Sequence, residues 1–93
     1  MKELNKIKEL LSKYIHTNKN EVYYFGSRAR GNHRPNSDLD ILIIDNTPIE
    51  SSNIAKLTEE FEESNIPFKI DIVIRSQIDE RFYHKIKSDL IKF

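Results

Sequence analysis

Two carboxylates and a small turn, held at a fixed distance, are the residues in this chain best suited to chemistry. Gly26-Ser27 is followed by ten residues and then by Asp38-Leu39-Asp40. A glycine lets the backbone approach a ligand closely, and amides at a turn leading into a helix bind phosphate oxygens. The serine hydroxyl adds a donor. Two aspartates two residues apart on a strand face the same way, roughly 6–7 Å apart along it. Such a pair can share magnesium ions, with phosphates and water completing the coordination. Transfer of a nucleotide from a metal-bound triphosphate uses this combination of parts.

Asp71 adds a third acid, in Lys69-Ile70-Asp71-Ile72-Val73-Ile74. Like Asp40 in Leu39-Asp40-Ile41-Leu42-Ile43-Ile44, it interrupts an apolar run, where an uncompensated carboxylate costs several kcal/mol. A cation is the simplest compensation. With the third strand beside the second, Asp71 reaches the same ions and can accept a proton from an attacking hydroxyl. Arg28 and Arg30 stand in the loop between the turn and the acids, beside His33 and Arg34. Each arginine has two readings: contact with phosphate, or an ion pair that shapes the loop. His16 and His84 read as surface helix residues, and Tyr23 and Tyr24 as strand packing. Tyr83 and Ile91 fall off the main stripe of the last helix, suiting either a partner interface or partial burial.

These residues need a scaffold, and the apolar pattern describes one. Leu4, Ile7, Leu11, Tyr14 and Ile15 recur at helical spacing, so the first ~15 residues form an amphipathic helix that Asn18-Lys19-Asn20 ends. Residues 22–25 make a short strand, and Gly26-Ser27 turns into a short helix reaching Gly31. A loop with Pro35 leads to a second strand, 39–44, whose near-continuous apolar character makes it central and covered on both faces. Thr47-Pro48-Ile49-Glu50 reads as a capped helix start, and Ile54, Leu57 and Phe61 supply that helix's stripe. Residues 69–74 form a third strand. Ser76-Gln77-Ile78-Asp79 reads as another capping box, opening a last helix with Ile78, Phe82, Ile86 and Leu90 on one face. The order α-β-(short α)-β-α-β-α predicts an α/β (α+β) domain, a small mixed sheet packed by helices.

Ninety-three residues make a single domain, 1–93, with no room for a separate acceptor-binding domain. Lys plus Arg and Asp plus Glu balance at 15 each, so no global basic field for nucleic acid exists. Without cysteine, thiolate nucleophiles, disulfides and zinc–thiolate sites are excluded. There is no apolar run of membrane-spanning length and no signal-peptide pattern at the N-terminus, which makes a cytoplasmic location the expectation.

With these residues assembled, the chain resembles the minimal nucleotidyltransferases of the DNA polymerase β superfamily. More narrowly, it resembles the antitoxin half of HEPN/MNT toxin–antitoxin pairs. The carriers are Gly26-Ser27, the ten-residue gap, Asp38-x-Asp40 and Asp71, within GSRARGNHRPNSDLDI. The resemblance runs from the first helix to the last. It implies an ATP-using enzyme in which Asp38 and Asp40 hold two Mg2+ ions. Asp71 joins one ion and activates the acceptor, while Gly26 and Ser27 hold the terminal phosphates. The implied acceptor is a tyrosine on a helical HEPN-type toxin, silenced by adenylylation. Two other functions share the same residues: a non-catalytic antitoxin acting by contact, and a nucleotidyltransferase acting on a small molecule such as an aminoglycoside. Direct nucleic-acid binding and membrane association are not expected.

Overall fold

The computed structural model describes residues 2–31 and 37–93. His33, Arg34 and the Pro35 loop, singled out in the sequence, lie outside the described residues. The chain runs through helix α1 (Leu4–Tyr14), strand β1 (Glu21–Phe25), the single-turn helix α2 (Ser27–Arg30), strand β2 (Leu39–Ile44) and helix α3 (Ser51–Glu63). Strand β3 (Ile70–Ile74), a 3-10 turn (Arg75–Gln77), helix α4 (Glu80–Ile86), a second 3-10 turn (Lys87–Asp89) and strand β4 (Ile91–Lys92) follow.

The four strands form one mixed sheet in the order β3-β2-β1-β4. β1 pairs antiparallel with β2 and β4, and β2 pairs parallel with β3. Alternation along the strands divides the sheet into two faces. Leu39, Ile41 and Ile43 of β2, Val22 of β1, and Ile70 and Ile74 of β3 point to one face. There they form the main core with Ile7, Leu10, Leu11 and Ile15 of the first helical segment and Leu57 and Phe61 of α3. β2 is central as its composition predicts, and Leu42, on the opposite face, is also fully buried. That second face carries Asp40 and Asp71, with Phe25 paired to Asp40.

Three local expectations are corrected. Thr47 does not cap α3, which begins at Ser51 behind Glu50 with no side-chain cap. Instead, the Thr47 amide and hydroxyl both donate to Oδ1 of Asn20, at 2.9 and 3.1 Å. Asn20 is buried and also donates to the His16 carbonyl, so it is a tie rather than a simple helix breaker. Ser76 likewise does not cap α4. Its amide and hydroxyl donate to Asp45, and the cap is Asp79, which accepts from the Phe82 amide at 2.8 Å. The last helix does not continue to Leu90 either. It ends at Ile86, and the chain returns as β4 along the free edge of β1, where Phe93 packs edge-on against Tyr24. Among the described residues no helix is long and apolar enough to cross a membrane.

Candidate active site

β1 ends where β2 and β3 begin, so the turn after β1 and the acids of β2 and β3 collect at one end of the sheet. Asp40 and Asp71 are register partners in the parallel β2–β3 ladder, and their side chains leave the same face. The ladder opens one rung earlier, where the Leu39 amide donates to the Lys69 carbonyl at 2.9 Å. Asp38 precedes β2 rather than lying on it, and it is exposed. It is nevertheless near enough for its charge to act on Asp40.

Gly26 closes over Asp40. Its φ of +88° lies in the region that L side chains rarely adopt. A Cβ placed there would stand 2.5 Å from Oδ2 of Asp40, so any other residue would be strained and would push this carboxylate aside. Ser27 then starts α2, whose single turn is closed by the Arg30 amide donating to the Gly26 carbonyl at 3.1 Å. Gly31, at φ +79°, ends it in a left-handed cap.

Burial, followed by the charges of Asp71 and then Asp38, raises the Asp40 carboxyl above its ordinary range. An ionised Asp40 is therefore short of positive charge, which a divalent cation would supply. The donor set is all carboxylate oxygen, which suits magnesium, with phosphates and water filling the remaining positions. Among the described residues no group of three His, Cys, Asp or Glu side chains is placed to hold a metal ion by itself. The Asp40–Asp71 pair supplies two carboxylates, so a metal there would need further oxygen donors from phosphate and water.

The two arginines part company. Arg28 is buried, its guanidinium 3.7 Å from the centre of the Phe68 ring and its Nε donating to the Ser37 carbonyl at 2.6 Å. It thereby ties α2 to the approaches of both acid-bearing strands. Arg30 is half-exposed and pairs with Asp89 of the second 3-10 turn at 3.3 Å. Away from the acids, His84 is exposed beside Glu80, and Tyr83 is half-buried under the Arg75 guanidinium. Ile91 pairs with Tyr24 through β4. Sequence reading passed over Lys69, whose Nζ lies 3.5 Å from Asp71 Oδ1, although a period of two places both on one face. It also passed over Asp89, which no local pattern links to Arg30, 59 residues away.

A mixed sheet with a glycine-led turn facing paired aspartates defines the nucleotidyl-transferring class of fold. Residues 5–92 match the family described as polymerase beta, nucleotidyltransferase, and the chain belongs to it. A Haemophilus influenzae protein named as a protein adenylyltransferase, MntA, is 35% identical over 66 residues, 71% of this chain. The match spans 58% of that protein's own length. A Methanocaldococcus jannaschii protein, also named for protein adenylyltransferase activity, is 33% identical over 97 residues, covering 98% of each chain. Among solved structures, a toxin–antitoxin crystallised with AMP-PNP superimposes with a TM-score of 0.75 at 22% identity. That superposition covers 95% of this chain and 69% of the other, and shows a shared fold.

Proposed function

We propose that this chain is a Mg2+-dependent adenylyltransferase and an antitoxin. It moves AMP from ATP to a tyrosine hydroxyl of a cognate, helical HEPN-type toxin in the cytoplasm, and the modification neutralises the toxin. The observation that carries the reading is the register pairing of Asp40 with Asp71 beneath a glycine whose Cβ would strike Asp40. The naming of two relatives as protein adenylyltransferases supports a protein acceptor over a small molecule.

In this reading Asp38, Asp40 and Asp71 hold the two magnesium ions, whose chemistry is the neutralisation of phosphate charge. Gly26 and Ser27 receive the terminal phosphates, the glycine by close backbone approach and the serine through its hydroxyl. Arg28 keeps that turn in place against Phe68 and Ser37. Arg30, half-exposed at the end of α2, is available to phosphate once it leaves Asp89. Asp71 is 40% exposed, open enough to meet an incoming hydroxyl and take its proton. The acceptor oxygen bonds to the α-phosphorus, the bond to the bridging oxygen breaks, and pyrophosphate departs with that electron pair.

Intact-mass spectrometry tests this. A candidate HEPN-type toxin is incubated with this chain, MgCl2 and ATP. The expected result is a toxin heavier by one AMP or more, with the gain lost in Asp38→Ala. A stable complex without a mass gain would replace the reading with inhibition by contact. Transfer to an aminoglycoside, with the toxin unmodified, would replace the acceptor.

A further inference from the structure

The structure already sets a cation against one of the three acids. Lys69 Nζ lies 3.5 Å from Asp71 Oδ1; Lys69 immediately precedes β3 and stands two residues before Asp71, so extended backbone turns both side chains the same way. The Lys69 carbonyl accepts the Leu39 amide at 2.9 Å, so its main chain is fixed to the first rung of the ladder. Its side chain is 72% exposed, so the ammonium has room to swing away.

An ammonium beside Asp71 Oδ1 and a divalent ion bound to the same carboxylate would repel each other at close range. The two cations weaken each other's hold on the carboxylate, and the solvated lysine is the mobile partner. We infer that Lys69 is the resident counter-cation of Asp71, displaced by the incoming metal and then received by the triphosphate. This rests on the reading given under Proposed function. Displacement weakens the site for a bare ion. When the metal arrives already bound to the triphosphate, the released ammonium finds phosphate oxygens, for which a mobile point charge is well suited. Lys69 therefore makes the site favour the metal–nucleotide complex over the metal alone.

Calorimetric titration at low ionic strength tests both halves. The full chain is titrated with MnCl2 alone, and with MnCl2 plus a non-hydrolysable ATP analogue. Lys69→Gln is expected to bind bare Mn2+ about two- to fivefold more tightly, the range of an exposed ion pair. The same variant is expected to bind the Mn2+–analogue complex more weakly, and Lys69→Arg to stay near the parent in both. A role in folding alone would move both affinities in one direction. Failure of either limb overturns the inference. Parent and Asp71→Asn binding Mn2+ equally would instead overturn the metal site itself, and the inference with it.

Discussion

Asp40 and Asp71 face each other as register partners on adjacent parallel strands, on the sheet face away from the main core. Nothing about folding favours two acids in that relation. Burial and both neighbouring carboxylates raise the Asp40 carboxyl above its ordinary range. The native state then keeps a proton over a pH window in which the unfolded chain has lost it. Metal-free stability therefore falls as pH rises from the ordinary aspartate range to the raised value, and stays lower above it. Asp40→Asn removes that cost. The variant should therefore be more stable than the parent at neutral pH in the absence of metal. Melting curves in EDTA should show the variant above the parent at pH 7, with the gap closing as pH falls. AMP transfer should be abolished. A variant that melts below the parent at pH 7 would contradict this account.

The contact between Gly26 and Asp40 makes a second prediction that needs no substrate. Gly26→Ala puts a Cβ 2.5 Å from Oδ2 of Asp40 at a φ of +88°. Strain and clash together should cost about 1–3 kcal/mol. That lowers Tm by roughly 5–20 °C. Part of the cost is the carboxylate itself, so Gly26→Ala should be milder in an Asp40→Ala background. A double-mutant cycle measures the coupling. Additive effects would mean that the carboxylate is not what excludes a side chain at this position.

Much of this site was legible in the sequence because period and polarity carry it. An acid inside an apolar strand is conspicuous, and the alternation of strand residues puts Asp40 and Asp71 on one face once their strands are neighbours. The central position of β2 followed from its apolar run, since Leu39, Ile41, Leu42 and Ile43 are all fully buried. The helix starts were not legible, for one shared reason. Thr47 and Ser76 sit in good capping patterns, but each is taken by a partner distant in sequence, Asn20 or Asp45. A capping box is a local preference worth about 1 kcal/mol. A buried amide or an anchored carboxylate that needs donors can outbid it. β4 was missed because two residues carry no period; its place is set by the free edge of β1 and by Phe93 meeting Tyr24.

The Asn20–Thr47 tie lies at the opposite end of the strands from the acids, since Asn20 precedes β1 and Thr47 follows β2. Asn20→Ala leaves the Thr47 amide and hydroxyl without their acceptor and should cost about 1–3 kcal/mol. Urea melts should show the loss with the denaturant slope unchanged. At temperatures where the variant is folded, kcat and KM for AMP transfer should match the parent. A changed KM would mean that the two ends of the sheet are coupled.

Arg28 and Arg30 stand two residues apart on one helical turn, and the structure gives them different work. The Arg28 guanidinium is buried against Phe68 and bonded to the Ser37 carbonyl. A desolvated cation–π contact and a charge-assisted hydrogen bond are together worth about 2–4 kcal/mol. Arg28→Ala should therefore lower Tm by ~10 °C or more. Arg28→Lys should recover little, because a lysine has neither the planar face for the ring nor the Nε donor. Among the described residues Arg30 has a solvated ion pair with Asp89, worth under about 1 kcal/mol. Arg30→Ala should melt within a few degrees of the parent, and any effect should fall on KM for ATP with kcat retained. Thermal melts paired with steady-state kinetics separate the two residues. Arg28→Ala that melts like the parent but loses ATP affinity would move Arg28 from scaffold to phosphate ligand. Arg30→Ala with unchanged KM would confine Arg30 to its pairing with Asp89.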